Sequence, residues 1–243
     1  MPAIPFPKKK VPKKVALTQL GILERLYPHP VTALEYENEF QLLIAVILSA
    51  QCTDARVNAT TPALFAKYPT PEKLARARQT DVETIVKSCG FFRMKAKNVI
   101  ACARDIVERF GGTVPREREN LESLAGVGRK TASVVMAAVF HEAALAVDTH
   151  VFRVSHRLGL TLGTNPRQVE DDLTALVPPE KWGDATHWLI LHGRQVCKAP
   201  TPQCPRCPLA QLCPTPAILK LALRAKTVSG ARRSPVRSKS SRG

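Results

Sequence analysis

Four cysteines crowd into seventeen residues, Cys197, Cys204, Cys207 and Cys213, in the spacing C-x6-C-x2-C-x5-C. Four thiolates so close together form a tetradentate set of soft ligands, and the two occupants that suit them are Zn²⁺ and an iron–sulfur cluster. Zinc modules usually pair two C-x2-C knuckles on separate turns. Here a single knuckle, Cys204-Pro205-Arg206-Cys207, is flanked by two wider loops, a lopsided arrangement that favours a [4Fe–4S] cluster. Disulfides or buried free thiols are the alternative. The N-terminus Met1-Pro2-Ala3-Ile4-Pro5 has no apolar signal core, so all seven cysteines read as reduced thiols. The remaining three, Cys52, Cys89 and Cys102, are scattered and read as packing residues.

The charge points to the partner. A net +16 on a chain of 243 residues calls for a polyanion, and nucleic acid is the commonest one for a chain without a membrane span. No apolar run reaches the eighteen residues a span needs, so no membrane partner is expected. Thirteen lysines and arginines lie in residues 1–16 and 214–243, which contain no acids, and residues 17–213 keep a net of only +3. The ends, 1–16 and 216–243, therefore read as disordered basic arms that add nonspecific phosphate attraction. Pro7-Lys8-Lys9-Lys10-Val11 also fits a nuclear import signal, and the expected location is the bacterial cytoplasm, at the nucleoid, or the eukaryotic nucleus.

Between the arms no alternating strand pattern is sustained, and the periodicity is helical throughout, which predicts an all-α protein. Phe40 to Leu48 is apolar nearly all round and too short to cross a bilayer, so it is expected as a central core helix. Further helices are predicted over Val57–Tyr68, Ala96–Phe110, Glu117–Leu124, Lys130–Phe140, Thr149–Leu158, Pro166–Leu176 and Ala185–Gly193.

Two features carry chemistry. Gly126-Val127-Gly128-Arg129-Lys130 places a Gly-x-Gly turn before a helix, where free backbone N–H groups and the helix dipole suit a phosphate. Lys130 lies in the first turn of that helix, where the dipole and any desolvation disfavour its ammonium form. Only about one lysine in 2,500 is neutral at pH 7 at the reference pKa, so amine chemistry needs a lowered pKa or a nearby base. Asp148, in Val147-Asp148-Thr149-His150, is the candidate partner. It also has the position of a helix N-cap, and one carboxylate oxygen can cap while the other serves chemistry.

The Leu124–Ala132 hairpin, the Val147–Val154 segment, the helix His187-Trp188-Leu189-Ile190-Leu191-His192-Gly193-Arg194 and the cysteine spacing together resemble the endonuclease III family of DNA glycosylases, over about residues 17 to 215. The resemblance implies a helix-hairpin-helix DNA glycosylase fold, with a six-helix barrel domain over 32–142 and a discontinuous iron–sulfur domain over 17–31 and 143–215. It implies a monomer that acts on duplex DNA containing oxidised pyrimidines or abasic sites. Lys130 would be the nucleophile and Asp148 the catalytic carboxylate. DNA would be held by Gly126, Val127, Gly128, Arg129, His150 and Lys198. Gln51 would fill the gap left by the extruded nucleotide. Phe91 would stand where the family often has a leucine wedge, bulky enough to stack on the orphaned base.

The implied reaction flips the damaged base out of the stack, attacks C1′ with neutral Lys130 and cuts the strand by β-elimination. One rival is a monofunctional glycosylase resembling the adenine glycosylase, which uses water and lacks a lysine at this position. The other is a non-catalytic DNA-binding iron–sulfur protein, which the pairing of Lys130 with Asp148 argues against.

Overall fold

The computed structural model describes residues 4–219. Every regular element among them is helical, as the periodicity predicts. The chain builds two hydrophobic cores, one from residues between Leu34 and Ala144 and the other from residues between Ala16 and Leu209.

Helix α1 (Lys13–Leu26) belongs to the second core, through Ala16, Leu20 and Leu23. The chain then enters the first core with α2 (Glu39–Leu48), whose residues 40–48 are all buried. Asn38 caps α2 by accepting from Gln41 N, and its Leu42, Leu43, Ile44 and Leu48 are wholly out of solvent. Burying each such side chain contributes roughly 1.5–3 kcal/mol, which explains why the other helices gather round this one.

The single helix expected over Val57–Tyr68 is two, α3 (Asp54–Asn58) and α4 (Thr61–Lys67). Pro62 has no N–H to continue a helix and is suited to a first turn, so the chain breaks and restarts there. Short α5 (Pro71–Ala75) and α6 (Gln79–Val86) follow, both missing from the sequence-based set. Helix α7 (Phe92–Phe110) starts four residues before the expected Ala96 and stops at Gly111 in the left-handed region. Helices α8 (Arg118–Glu122) and α9 (Arg129–Ala138) complete the first core.

The chain returns to the second core with α10 (Thr149–Leu158), α11 (Pro166–Thr174) and α12 (Trp182–Gln195). Gly193 lets α10 and α12 pack closely, because a Cβ there would sit 3.0 Å from His150 Nδ1 and 3.1 Å from Arg153 Nη2.

The expectation of a disordered arm over 1–16 fails for residues 4–16. Phe6 stacks on His156 at 4.6 Å between ring centroids, Pro7 is buried, and Val11 N donates to Gly159 O at 2.9 Å. Lys10 pairs with Asp172, and Lys13 and Lys14 already belong to α1. Apolar residues interleaved with the lysines give this segment something to bury, which net charge alone does not reveal. At the other end residues 215–219 are helical, so the expected tail does not begin as irregular chain; residues 220–243 lie outside the described residues. Among the described residues no helix is long and apolar enough to cross a membrane.

Candidate active site and metal centre

The hairpin between α8 and α9 turns on Gly126, at φ +78°, where a Cβ would come within 2.9 Å of Asn98 Cβ. Gly128 is the N-cap of α9 in extended backbone, with no atom within 4 Å of the place a Cβ would take. No side chain caps α9, so its leading N–H groups face an open approach, as a phosphate site needs. The Arg129 side chain does not face that approach. Its Nε and Nη2 form a two-point pair with Glu170 of α11, at 2.7 and 2.8 Å, which raises its pKa and ties the hairpin to the second core.

Lys130 follows on the first turn of α9, and Asp148 is the N-cap of α10. They come from different cores and line the same cleft of about 600 Å³ together with Ser49, Gln51 and Arg194. Both also line an adjoining recess of about 90 Å³ with Val134, His187 and Ile190. Asp148 Oδ1 accepts from His150 N at 2.8 Å and Val151 N at 2.7 Å, and Oδ2 takes no part in the cap. One carboxylate therefore caps and faces the lysine at once.

Lys130 is open to the cleft, yet protein stands around it closely enough that desolvation is the largest influence on its amine and pushes its pKa down. The negative charges of Asp148 and Asp54 oppose that shift, and Arg194 adds to it. Asp54 and Arg194 form an ion pair at 2.8 Å across the cleft. Sequence reasoning missed both, although Arg194 closes the quoted helix motif and Asp54 lies three residues after Gln51. His187 was also missed as a lining residue, and burial lowers its pKa.

Gln51 and Phe91 share an unusual backbone. Both lie in the left-handed region, at φ 53° and 43°, which costs of order 1 kcal/mol or more for a residue with a Cβ. Phe91 is 70 % exposed despite its apolar ring. His150 Nδ1 meets Arg153 Nη2 at 3.2 Å, and burial lowers its pKa. Lys198 is exposed on the loop after Cys197, with its carbonyl held by Arg157.

Cys197, Cys204, Cys207 and Cys213 line one further cavity, together with Arg157 and His192. Arg157 is 3 % exposed, and its guanidinium donates to Lys198 O and Ala199 O, both at 2.7 Å, and approaches Cys197 Sγ at 3.5 Å. A buried guanidinium set among carbonyls and a sulfur calls for an anion, and four thiolates carrying a cluster are one. Burial pushes Cys213 up to about 11 and also raises Cys204 and Cys207, so a bound cation is what would hold these groups as thiolates. A [4Fe–4S] cluster takes one thiolate on each of its four irons, and four cysteines line this cavity. The donor set fits the cluster.

Residues 44–179 match the family model described as HhH-GPD superfamily base excision DNA repair protein. The chain is 49 % identical over 210 residues to Endonuclease III of Synechocystis sp., covering 86 % of this chain and 96 % of that one. It is 45 % identical over 198 residues to Endonuclease III of Escherichia coli, covering 80 % and 94 %. A solved structure of a trapped covalent Endonuclease III–DNA intermediate superposes with a TM-score of 0.83 at 41 % identity, covering 87 % of this chain and 99 % of that one. With helices as its only regular elements among the described residues, and alike over nearly the whole length of these relatives, the chain belongs to the endonuclease III family, the DNA glycosylases and abasic-site lyases of the HhH-GPD base-excision repair superfamily.

Proposed function

We infer that this enzyme, working as a monomer on duplex DNA, removes oxidised pyrimidines by amine attack at C1′ and then cuts the strand at the abasic site. The observation that carries this reading is the convergence of the Lys130 amine and the Asp148 carboxylate on one cleft, with the amine's pKa lowered by desolvation. The Gly126–Gly128 turn and the uncapped start of α9 hold the backbone phosphate. Gln51 and Phe91 enter the duplex from the two reading loops, and the damaged nucleotide turns out into the cleft.

Neutral Lys130 forms a bond to C1′ as the base departs. Asp148 Oδ2 stabilises the positive charge growing on the sugar or takes the proton the amine loses. The ring opens to a Schiff base, an electron sink that allows the 2′ proton to leave and the 3′ phosphate to be eliminated. A relative 41 % identical to this chain has been captured as a covalent intermediate with DNA. Borohydride added during turnover on a thymine-glycol duplex should reduce the Schiff base and leave protein covalently attached to DNA. Base release without trapping would instead identify a water-using glycosylase.

Cys197, Cys204, Cys207 and Cys213 would hold a [4Fe–4S] cluster. When bound, it cross-links the end of α12 to the C-terminal turn and fixes the loop that carries Lys198. Anaerobically purified protein should be yellow-brown and contain iron with acid-labile sulfide. Cys204→Ser should lose the colour and melt at a lower temperature. Stoichiometric zinc without sulfide would overturn the assignment.

A further inference from the structure

The loop that carries Phe91 departs from ordinary backbone at two residues in a row. It begins with a 3₁₀ turn, Lys87–Cys89, and Gly90 follows at φ 68° and ψ 158°, a region that essentially only glycine enters. Phe91 comes next, left-handed at φ 43°, as the N-cap of α7. Its ring lies mostly in solvent, so packing at the tip does not offset the strain. The support comes from behind. A long side chain on a helix leans back toward the N-terminus, and the Lys95 ammonium reaches over the first turn of α7 to donate to Cys89 O at 2.7 Å. Its backbone N donates to Phe91 O at 3.0 Å. One residue thus holds the carbonyls on both sides of Gly90.

A lysine is a costly choice for that position. Lys95 is 5 % exposed, burial lowers its pKa, no acid stands in the first turn of α7, and the helix dipole disfavours a cation near its start. For stability alone, an apolar side chain would fill the space at least as well. The junction of α3 and α4 completes the backing of the loop, with Arg56 Nη1 donating to Ser88 O at 3.4 Å and Thr60 Oγ1 meeting Ser88 Oγ at 2.9 Å. These contacts converge on the residues just before the tip.

We propose that Lys95 is a positioning residue for base extrusion, one that holds the Gly90-Phe91 tip in the conformation that presents the ring to the duplex. The proposal rests on the reading of Phe91 as the wedge. Without the ammonium Cys89 O is released, the strained tip relaxes toward ordinary backbone, and the loop must be ordered anew each time the ring enters a base step. The rate of extrusion then falls with the fraction of time the tip is competent. Lys95 lines neither the cleft nor its adjoining recess, so chemistry on a sugar that is already extruded does not depend on it.

The test is Lys95→Met in the full chain, which keeps the length of the side chain and removes its charge and donors. Expected are a melting temperature close to the wild type's, faster hydrogen exchange in a peptide covering residues 88–92, and single-turnover base release from a thymine-glycol duplex about tenfold slower. Strand cleavage at an abasic site in single-stranded DNA, where no stack has to be opened, should stay within about twofold of wild type. Added to Phe91→Ala, the substitution should cause no further loss, because both act through the same ring. If Lys95→Met does not fold, Lys95→Gln, which falls short of the carbonyl, is measured in its place with the same expectations. Unchanged exchange, unchanged base release, equal loss on single-stranded DNA or an additive loss in the double variant would each overturn the proposal. Phe91→Ala at the full wild-type rate would instead count against the wedge reading, while the exchange of residues 88–92 would still decide whether Lys95 holds the loop.

Discussion

Lys130→Gln is expected to lose base removal and borohydride trapping together, by at least about a thousandfold, while the duplex still binds. Glutamine keeps the reach of the side chain and its polarity but has no amine lone pair for C1′. The proposed phosphate cradle is backbone, formed by Gly126, Gly128 and the uncapped start of α9, so it should survive the substitution. Binding to a lesion duplex in a mobility-shift assay should therefore change by no more than a few-fold. The wild-type rate should also rise with pH below the ordinary lysine range. Desolvation lowers the amine's pKa, so the neutral fraction grows through lower pH values than for a free lysine. Undiminished excision by Lys130→Gln would overturn the mechanism.

Asp148→Asn separates two roles that a deletion would merge. The amide oxygen still accepts from His150 N and Val151 N, and Asn is as good an N-cap as Asp, so the melting temperature should hardly move. The negative charge is lost, and with it one of the influences that raise the Lys130 pKa. If Asp148 only tuned the lysine, the variant would hold more neutral amine at pH 7 and excise faster. If it stabilises charge on the sugar or accepts the proton, excision should fall by about a hundredfold to a thousandfold. We expect the fall, measured as single-turnover base release across a pH series. A rate equal to or above wild type at neutral pH would sink the assigned role.

Elements whose signal is local were legible in the sequence. Helix α2 could be read because its residues are apolar on every side, and Asp148 because an N-cap is a matter of three adjacent residues. The break between α3 and α4 was legible in principle from Pro62, but the apolar spacing on either side masked it. Pairings across long stretches of chain were not legible. Asp54 and Arg194 are 140 residues apart, and the Arg129 guanidinium is taken up by a glutamate of α11 that no local pattern connects to the hairpin. The left-handed backbone at Gln51 and Phe91 was hidden for another reason. Neither residue type favours it, so only the surrounding fold can impose it.

The split of the second core sets an order for biosynthesis. Residues 34–144 can close the first core as soon as they leave the ribosome, because every residue buried in it has then been made. Helix α1 emerges earlier still, but Leu20 and Leu23 pack with α10 and α12, and Gln19 Nε2 donates to Leu158 O and Leu212 O. Its apolar face must therefore wait through nearly the whole of translation. The last of the four thiols, Cys213, comes after almost everything else described, so loading of the proposed cluster would fall at the end of synthesis. A nascent chain stalled soon after α9 would hold a finished hairpin and Lys130 before Asp148 is made, able on the proposed roles to grip DNA but not to cut it.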